Sequence, residues 1–215
     1  MKIKGVCFDI DGTLYPKWVT NYKLMGSFFP SLSLAFRYSR FRKEVRTTNP
    51  QIANFRKYQA RSMGSTEKEI EKQFYNKWAK AFQKLKPYKD LIKTLELLKS
   101  KNLKLAVLSD FPIENKLKAM GIEQYFEFAM CSEDSGYLKP HPKPFLEVSK
   151  KLNLEPQEIL FVGDSYDKDI IGSEKVGMKS AYIVPKRKKG KKGKKGDITF
   201  STYKEFNTLF ETLFN

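Results

Sequence analysis

Four short stretches of the chain carry residue types that can do chemistry. The first is Asp9-Ile10-Asp11-Gly12-Thr13-Leu14, where two carboxylates at i and i+2 end an apolar run and a glycine lets the chain turn away. The second is Ser109, a hydroxyl directly behind the apolar run Leu105–Leu108. The third is Lys139, in Leu138-Lys139-Pro140-His141-Pro142-Lys143-Pro144. The fourth is Gly163-Asp164-Ser165-Tyr166-Asp167-Lys168-Asp169, behind Ile159–Val162. Carboxylates hold hard cations and move protons, while a lysine and a hydroxyl stabilise an anion.

These groups act together only if the chain brings them to one place. Ile3–Phe8, Leu105–Leu108, Phe126–Cys131, Ile159–Val162 and Ala181–Val184 are short apolar runs of the buried-strand type. Helical patterns lie between them. Leu91, Ile92, Leu95 and Leu98 repeat at helical spacing. A helix with Pro112 in its first turn should end before Gly121. Another from Pro144 carries Phe145, Val148 and Leu152, and the last carries Phe206, Leu209, Phe210 and Leu213. This alternation predicts an α/β fold, a doubly wound Rossmann-like parallel sheet. In such a sheet ligands bind at the C-terminal ends of the strands, where Asp9, Asp11, Ser109 and Asp164 stand.

Residues 15–86 break the rhythm and read as wholly helical. Leu34, Tyr38, Phe41 and Val45 form one stripe, and Ile52, Phe55 and Gln59 continue it after Asn49-Pro50. A longer helix carries Ile70, Phe74, Trp78, Ala81, Phe82 and Leu85, with Thr66 and Glu69 as a capping box and Pro87 closing it. The expected organisation is therefore an α/β core over 1–14 and 87–215 with an all-helical insertion over 15–86. A flexible basic loop over 186–196 lies within the core.

Charge follows the same division. The net charge of +17 divides into +12 over 15–86, +8 over 186–195 and −3 elsewhere. The body is nearly neutral and carries two basic additions. Lys72, Lys80, Lys84 and Lys86 lie off the apolar stripe and read as a solvated face. Trp18, Phe28, Phe29 and Phe36 read as core of the insertion or its contact with the body. The lysine–glycine run at 186–195 cannot bury anything and reads as a mobile loop. With the basic insertion, it makes nucleic acid or another polyanion a candidate partner. The 40% hydrophobic content excludes a disordered chain. Cys7 and Cys131 are too few for a disulfide scaffold and read as buried thiols. No apolar run reaches the roughly 18 residues of a membrane span, and no signal-peptide pattern opens the chain, so a cytoplasmic protein is expected.

Taken together, the four stretches resemble the motifs of the haloacid dehalogenase superfamily, in the right order along essentially the whole chain. Asp9 to Thr13 looks like the first motif, Ser109 the second, Lys139 the third and Gly163-Asp164 to Asp169 the fourth. The insertion point is similar to that of the family's helical cap of the first type. The resemblance implies a Mg²⁺-dependent phosphatase acting on a small phosphorylated metabolite or nucleotide. Asp9 would be the nucleophile that forms an aspartyl-phosphate, and Asp11 the acid/base. Ser109, Lys139, Gly12 and Thr13 would hold the substrate phosphate. Asp9, the Asp11 main-chain carbonyl, Asp164 and Asp169 would serve the metal, Asp169 through water or from behind. Dehalogenases of the superfamily lack an acid/base Asp two residues after the nucleophile, so Asp11 favours a phosphatase. Asp110 departs from the Asn that many relatives carry. A phosphotransferase or mutase, and a nucleic-acid- or anionic-surface-binding protein on this fold, remain alternatives. The roles of Asp110, Asp167 and His141 are open at this stage.

Overall fold

Gly5-Val6-Cys7-Phe8 is buried at every position, which suits a strand covered on both faces. The computed structural model places it as β1 (Gly5–Phe8), followed along the chain by β2 (Lys104–Ser109), β3 (Phe128–Cys131), β4 (Ile159–Gly163), β5 (Lys179–Ile183) and β6 (Ile198–Phe200). The model describes residues 2–19, 21–22, 32–113, 115–185 and 196–214. Phe28, Phe29 and the 186–195 run lie outside the described residues, as do the side chains of Leu34 and Trp78. The strands form one sheet in the order β3-β2-β1-β4-β5-β6, and every pairing is parallel. β1 is central, with Phe8 in register with Val107 on one side and Val162 on the other.

Among the described residues the α-helices include α1 (Leu32–Thr48), α2 (Phe55–Ser62), α3 (Glu67–Ile70), α4 (Asn76–Ala81), α5 (Leu91–Ser100), α6 (Lys116–Ala119), α7 (Pro142–Leu152), α8 (Ile171–Glu174) and α9 (Tyr203–Phe214). The two-residue period of a strand sorts its side chains between two layers. Val6 and Phe8 join Leu91, Leu95 and Leu98 of α5 and Phe206 and Phe210 of α9. Cys7 points the other way, with Phe145, Val148 and Leu152 of α7. Burying a side chain such as Phe8 stabilises by roughly 1.5–3 kcal/mol, so the strand that carries Asp9 is among the most firmly held parts of the molecule.

Several expectations need correction. β6 went unforeseen: it has three residues, too few to show a period. The helix expected from Pro112 begins only at Lys116. The α7 helix begins at Pro142, not Pro144, because His141 caps it by accepting the Lys143 N–H at 3.2 Å. The long helix after Thr66 has its capping box, but the π turn Glu71–Tyr75 interrupts it and it stops at Ala81. Ile70 and Phe74 pack with Ala60 and Met63 of the insertion, whereas Phe82 and Leu85 belong to the sheet's own core. A second small cluster joins Phe41, Val45, Ile52 and Phe55 to Leu138 of the body. Trp18 is 68% and Phe36 71% exposed, so neither is core. Lys72, Lys80, Lys84 and Lys86 are exposed as expected, and Cys7 and Cys131 are free and buried. No helix among the described residues is long and apolar enough to cross a membrane.

Candidate active site

The three strands β1, β2 and β4 end side by side, and the residues just past their ends converge. Asp9 continues the ladder, its N–H bonding the Val162 carbonyl at 2.9 Å. Asp9, Asp164 and Asp169 each bring a carboxylate oxygen within 4.8 Å of the others. Two glycines permit that approach. Gly12 has φ +102°, and a Cβ there would stand 2.4 Å from Asp164 Oδ2. A Cβ on Gly163 would stand 2.3 Å from the Cβ of Asp169. Any side chain at either position would push the carboxylates apart.

Lys139 lies beneath them, 1% exposed, in the loop ahead of α7. Its Nζ donates to Asp9 Oδ1 at 2.8 Å, Asp169 Oδ1 at 2.7 Å and the Leu108 carbonyl at 3.1 Å. Burial disfavours the ammonium, but Asp169, then Asp9 and Asp110, outweigh it and hold the pKa well above the usual lysine value. The other oxygen of Asp9 accepts from the Thr13 hydroxyl at 3.0 Å. Burial pushes the Asp164 carboxyl up, Asp9 adds to the rise, and Lys17 pulls it back. Burial also raises Asp169; Lys139 opposes the rise, while Asp9 and Asp164 add to it. Crowded hard oxygens with this excess of negative charge are a donor set that suits a divalent cation such as Mg²⁺.

Asp11 has partners of its own. Both its oxygens accept from Lys116 Nζ at 2.8 Å, and Tyr15 donates its hydroxyl to Oδ1. Lys116 is fully buried at the start of α6, with Nζ 4.7 Å from the centre of the Phe82 ring. Asp9 and Asp11 are thus held by different lysines, one from the loop ahead of α7 and one from the start of α6.

These groups line one cavity of about 210 Å³, bounded by Asp9, Asp11, Lys17, Asn21, Asp110, Phe111, Lys139, Asp164, Lys168 and Asp169. Lys17 donates to Asp164 Oδ2 at 2.7 Å. Burial pushes the pKa of Lys168 down, with Asp110 offsetting part of the effect.

Every expected site residue falls at or beside this cavity, with distinctions. Ser109 is buried and its hydroxyl accepts the Phe111 N–H at 3.2 Å. Asp169, whose Oδ2 accepts the Ser165 N–H at 2.9 Å, belongs to the carboxylate cluster; exposed Asp167 does not. Lys143 pairs with Glu147 at 2.9 Å. His141 stacks on Tyr137 at 3.9 Å between ring centres and caps α7, a structural place. Asp110 faces the helical insertion. It takes Arg46 Nη2 at 2.6 Å, the Ser132 hydroxyl at 2.7 Å and the Lys139 N–H at 3.1 Å. Burial opposes its ionisation, but Arg46, then Lys139 and Arg42, hold its pKa well below the carboxylate range. Arg46 also donates to the Lys139 carbonyl at 3.2 Å, and buried Arg42 binds Glu133 and the Asp110 carbonyl.

Sequence reading missed Tyr15, Lys116, Arg42, Arg46 and Lys168. The spacing Asp11–Tyr15, within one tight turn, offered a signal for the first; Lys168 stood inside the fourth stretch, and Lys116, Arg42 and Arg46 lie far along the chain from the carboxylates they bind.

A family model described as haloacid dehalogenase-like hydrolase matches residues 6–183. The chain is 41% identical over 105 residues to the glyceraldehyde 3-phosphate phosphatase of Methanopyrus kandleri, covering 47% of this chain and 45% of that protein. Its match to the Methanocaldococcus jannaschii protein of the same name is 37% identical and covers 52% of it, so the chain spans about half the length of these two relatives. It is 28% identical over 191 residues to the pyrophosphatase PpaX of Bacillus mycoides, covering 85% and 84% of the two chains. Among solved structures, a HAD phosphatase from Thermococcus onnurineus superposes with a TM-score of 0.66 at 26% identity, covering 97% and 98%. A 2-haloacid dehalogenase from Pseudomonas syringae gives 0.67 at 22% identity over 98% and 99%, a likeness of fold.

Proposed function

The chain belongs to the haloacid dehalogenase-like hydrolases, and from that membership we propose that it is a Mg²⁺-dependent phosphatase of small phosphorylated metabolites. The observation that carries this reading is the second carboxylate, Asp11, lining the same cavity as Asp9. A halide leaves without a proton, whereas an alkoxide or phosphate leaving group needs one.

In this reading an Asp9 carboxylate oxygen attacks phosphorus while the bond to the leaving oxygen breaks, giving an aspartyl-phosphate. Lys139 and Thr13 fix the Asp9 carboxylate for that approach, and Ser109 bonds the phosphoryl oxygens. Asp11 gives the leaving oxygen its proton. It then takes a proton from the water that attacks the phosphorus and releases phosphate from Asp9. Asp9, Asp164 and Asp169, with the main-chain carbonyl of Asp11, would hold Mg²⁺, which when bound neutralises the repulsion between carboxylate and phosphate. The insertion α1–α4 serves as a cap over the strand ends. The relatives' names point to a triose phosphate and to pyrophosphate, both small. A cavity of about 210 Å³ is below the ~300–1,000 Å³ of drug-sized ligand sites and suits a small leaving group.

The test is turnover of a chromogenic phosphate ester with Mg²⁺ by the wild type and Asp9→Asn. The variant should lose at least ~10³-fold in kcat. Unchanged activity in it would overturn the reading.

A further inference from the structure

The cavity holds three lysines, and they differ in what occupies them. Lys139 is committed to Asp9 and Asp169, and Lys17 to Asp164. Lys168 is half-buried in the same wall, yet it makes no hydrogen bond or salt bridge among the described residues. Asp110 and Asp169 act on it at longer range, but Asp110 already binds Arg46, Ser132 and the Lys139 N–H, and Asp169 binds Lys139 and the Ser165 N–H.

A partly desolvated ammonium without a partner is costly to keep, and an anion that enters the cavity offsets that cost. In the phosphatase reading the phosphoryl group to be transferred would be received by Ser109 and by the metal that Asp9, Asp164 and Asp169 would hold. Lys168 is surplus to that set, and it sits in the middle of the π turn Tyr166–Ile170, which follows β4 and leads into α8. We propose that Lys168 receives a second anionic group, carried by the leaving portion of the substrate, so that the preferred substrates are phosphate compounds with another phosphate or carboxylate close to the scissile bond. This rests on the phosphatase reading and narrows it. Phosphate monoesters of neutral alcohols or aldehydes become the poorer substrates.

The experiment compares three compounds. 3-Phosphoglycerate and glycerol 3-phosphate share a carbon skeleton and differ by a carboxylate in place of a hydroxymethyl group, and pyrophosphate supplies a second phosphate. The wild type should favour 3-phosphoglycerate, pyrophosphate or both over glycerol 3-phosphate in kcat/KM; the favoured arm identifies the anionic group. Lys168→Ala and Lys168→Gln should reduce that preference by about 10–100-fold, the strength of one charge-assisted hydrogen bond. Lys168→Arg should recover most of it. An unchanged preference in both neutral variants would overturn the proposal. So would an equal loss on all three compounds, which would place Lys168 on the transferred phosphoryl group itself. If the wild type turned over none of the three, or if Asp9→Asn retained activity, the phosphatase reading would fall first and take this narrower one with it.

Discussion

The sheet edge and the helical insertion meet at one cavity, but different forces hold them. β1 and β4 are apolar and buried along their whole length, so Asp9 and Asp164 are placed by packing and by backbone pairing. The insertion has two small apolar clusters, one built partly on Leu138 of the body. Its polar hold on the site includes Lys17 on Asp164, and Arg42 and Arg46, which reach Asp110, Glu133 and the Lys139 carbonyl. Packing in the body fixes positions with little freedom. Arginine contacts across a seam depend on charge and geometry more than on buried apolar area, and each can be removed by one substitution. The contrast teaches that the sheet places Asp9 and Asp164 by packing, whereas ion pairs join part of the insertion to the body.

After the loss expected for Asp9→Asn, the next largest effect should come from Lys116→Ala in the body. It strips a buried carboxylate, Asp11, of its bidentate ammonium, which costs about 3–5 kcal/mol in such pairs. The urea midpoint should fall accordingly and kcat with it. A variant with wild-type stability and turnover would show that the sheet edge does not depend on this pair. Arg46→Ala tests the seam. Losing its charge-assisted bond to Asp110 should cost about 1.5–3 kcal/mol of attachment, read as a raised KM and as faster protease cleavage within α1–α4. If cleavage and KM stay at wild-type levels, the arginines are not what holds the insertion. Thr66→Ala is the smallest probe. It removes the capping box at α3, should lower stability by about 1 kcal/mol and should leave kcat/KM within about twofold. A larger activity loss would mean that the insertion transmits its internal order to the sheet edge, against the division drawn above.

What could be read from the chain follows the same line. Asp9, Asp11, Ser109 and Asp164 were legible because strand ends are local features: an apolar run stops and a polar residue follows. β6 was not, since three residues carry no period. Lys116 reads as one more lysine among many, because its partner Asp11 is 105 residues away and only the fold joins them. Arg42 and Arg46 vanish for the same reason into a helix that looks uniformly basic. Trp18 and Phe36 misled in the opposite direction: large apolar residues suggest a core, yet both are exposed. Asp110 shows how an apparent fault can be a contact. A carboxylate that seemed out of place beside a phosphate pocket is held by an arginine of the insertion.

The central place of β1 has a consequence for synthesis. Its strand partner β4 lies about 150 residues further along the chain. At a ribosomal pace of ~5–20 residues per second, β1 emerges on the order of 8–30 s before the segment that seals its second edge. Until then Asp9 has neither Asp164 nor Asp169 beside it, and a highly apolar strand waits with an open side. The segment that carries Asp9 is made before its partners and completed late, so the carboxylate cluster forms only after β4 and the turn behind it have been translated.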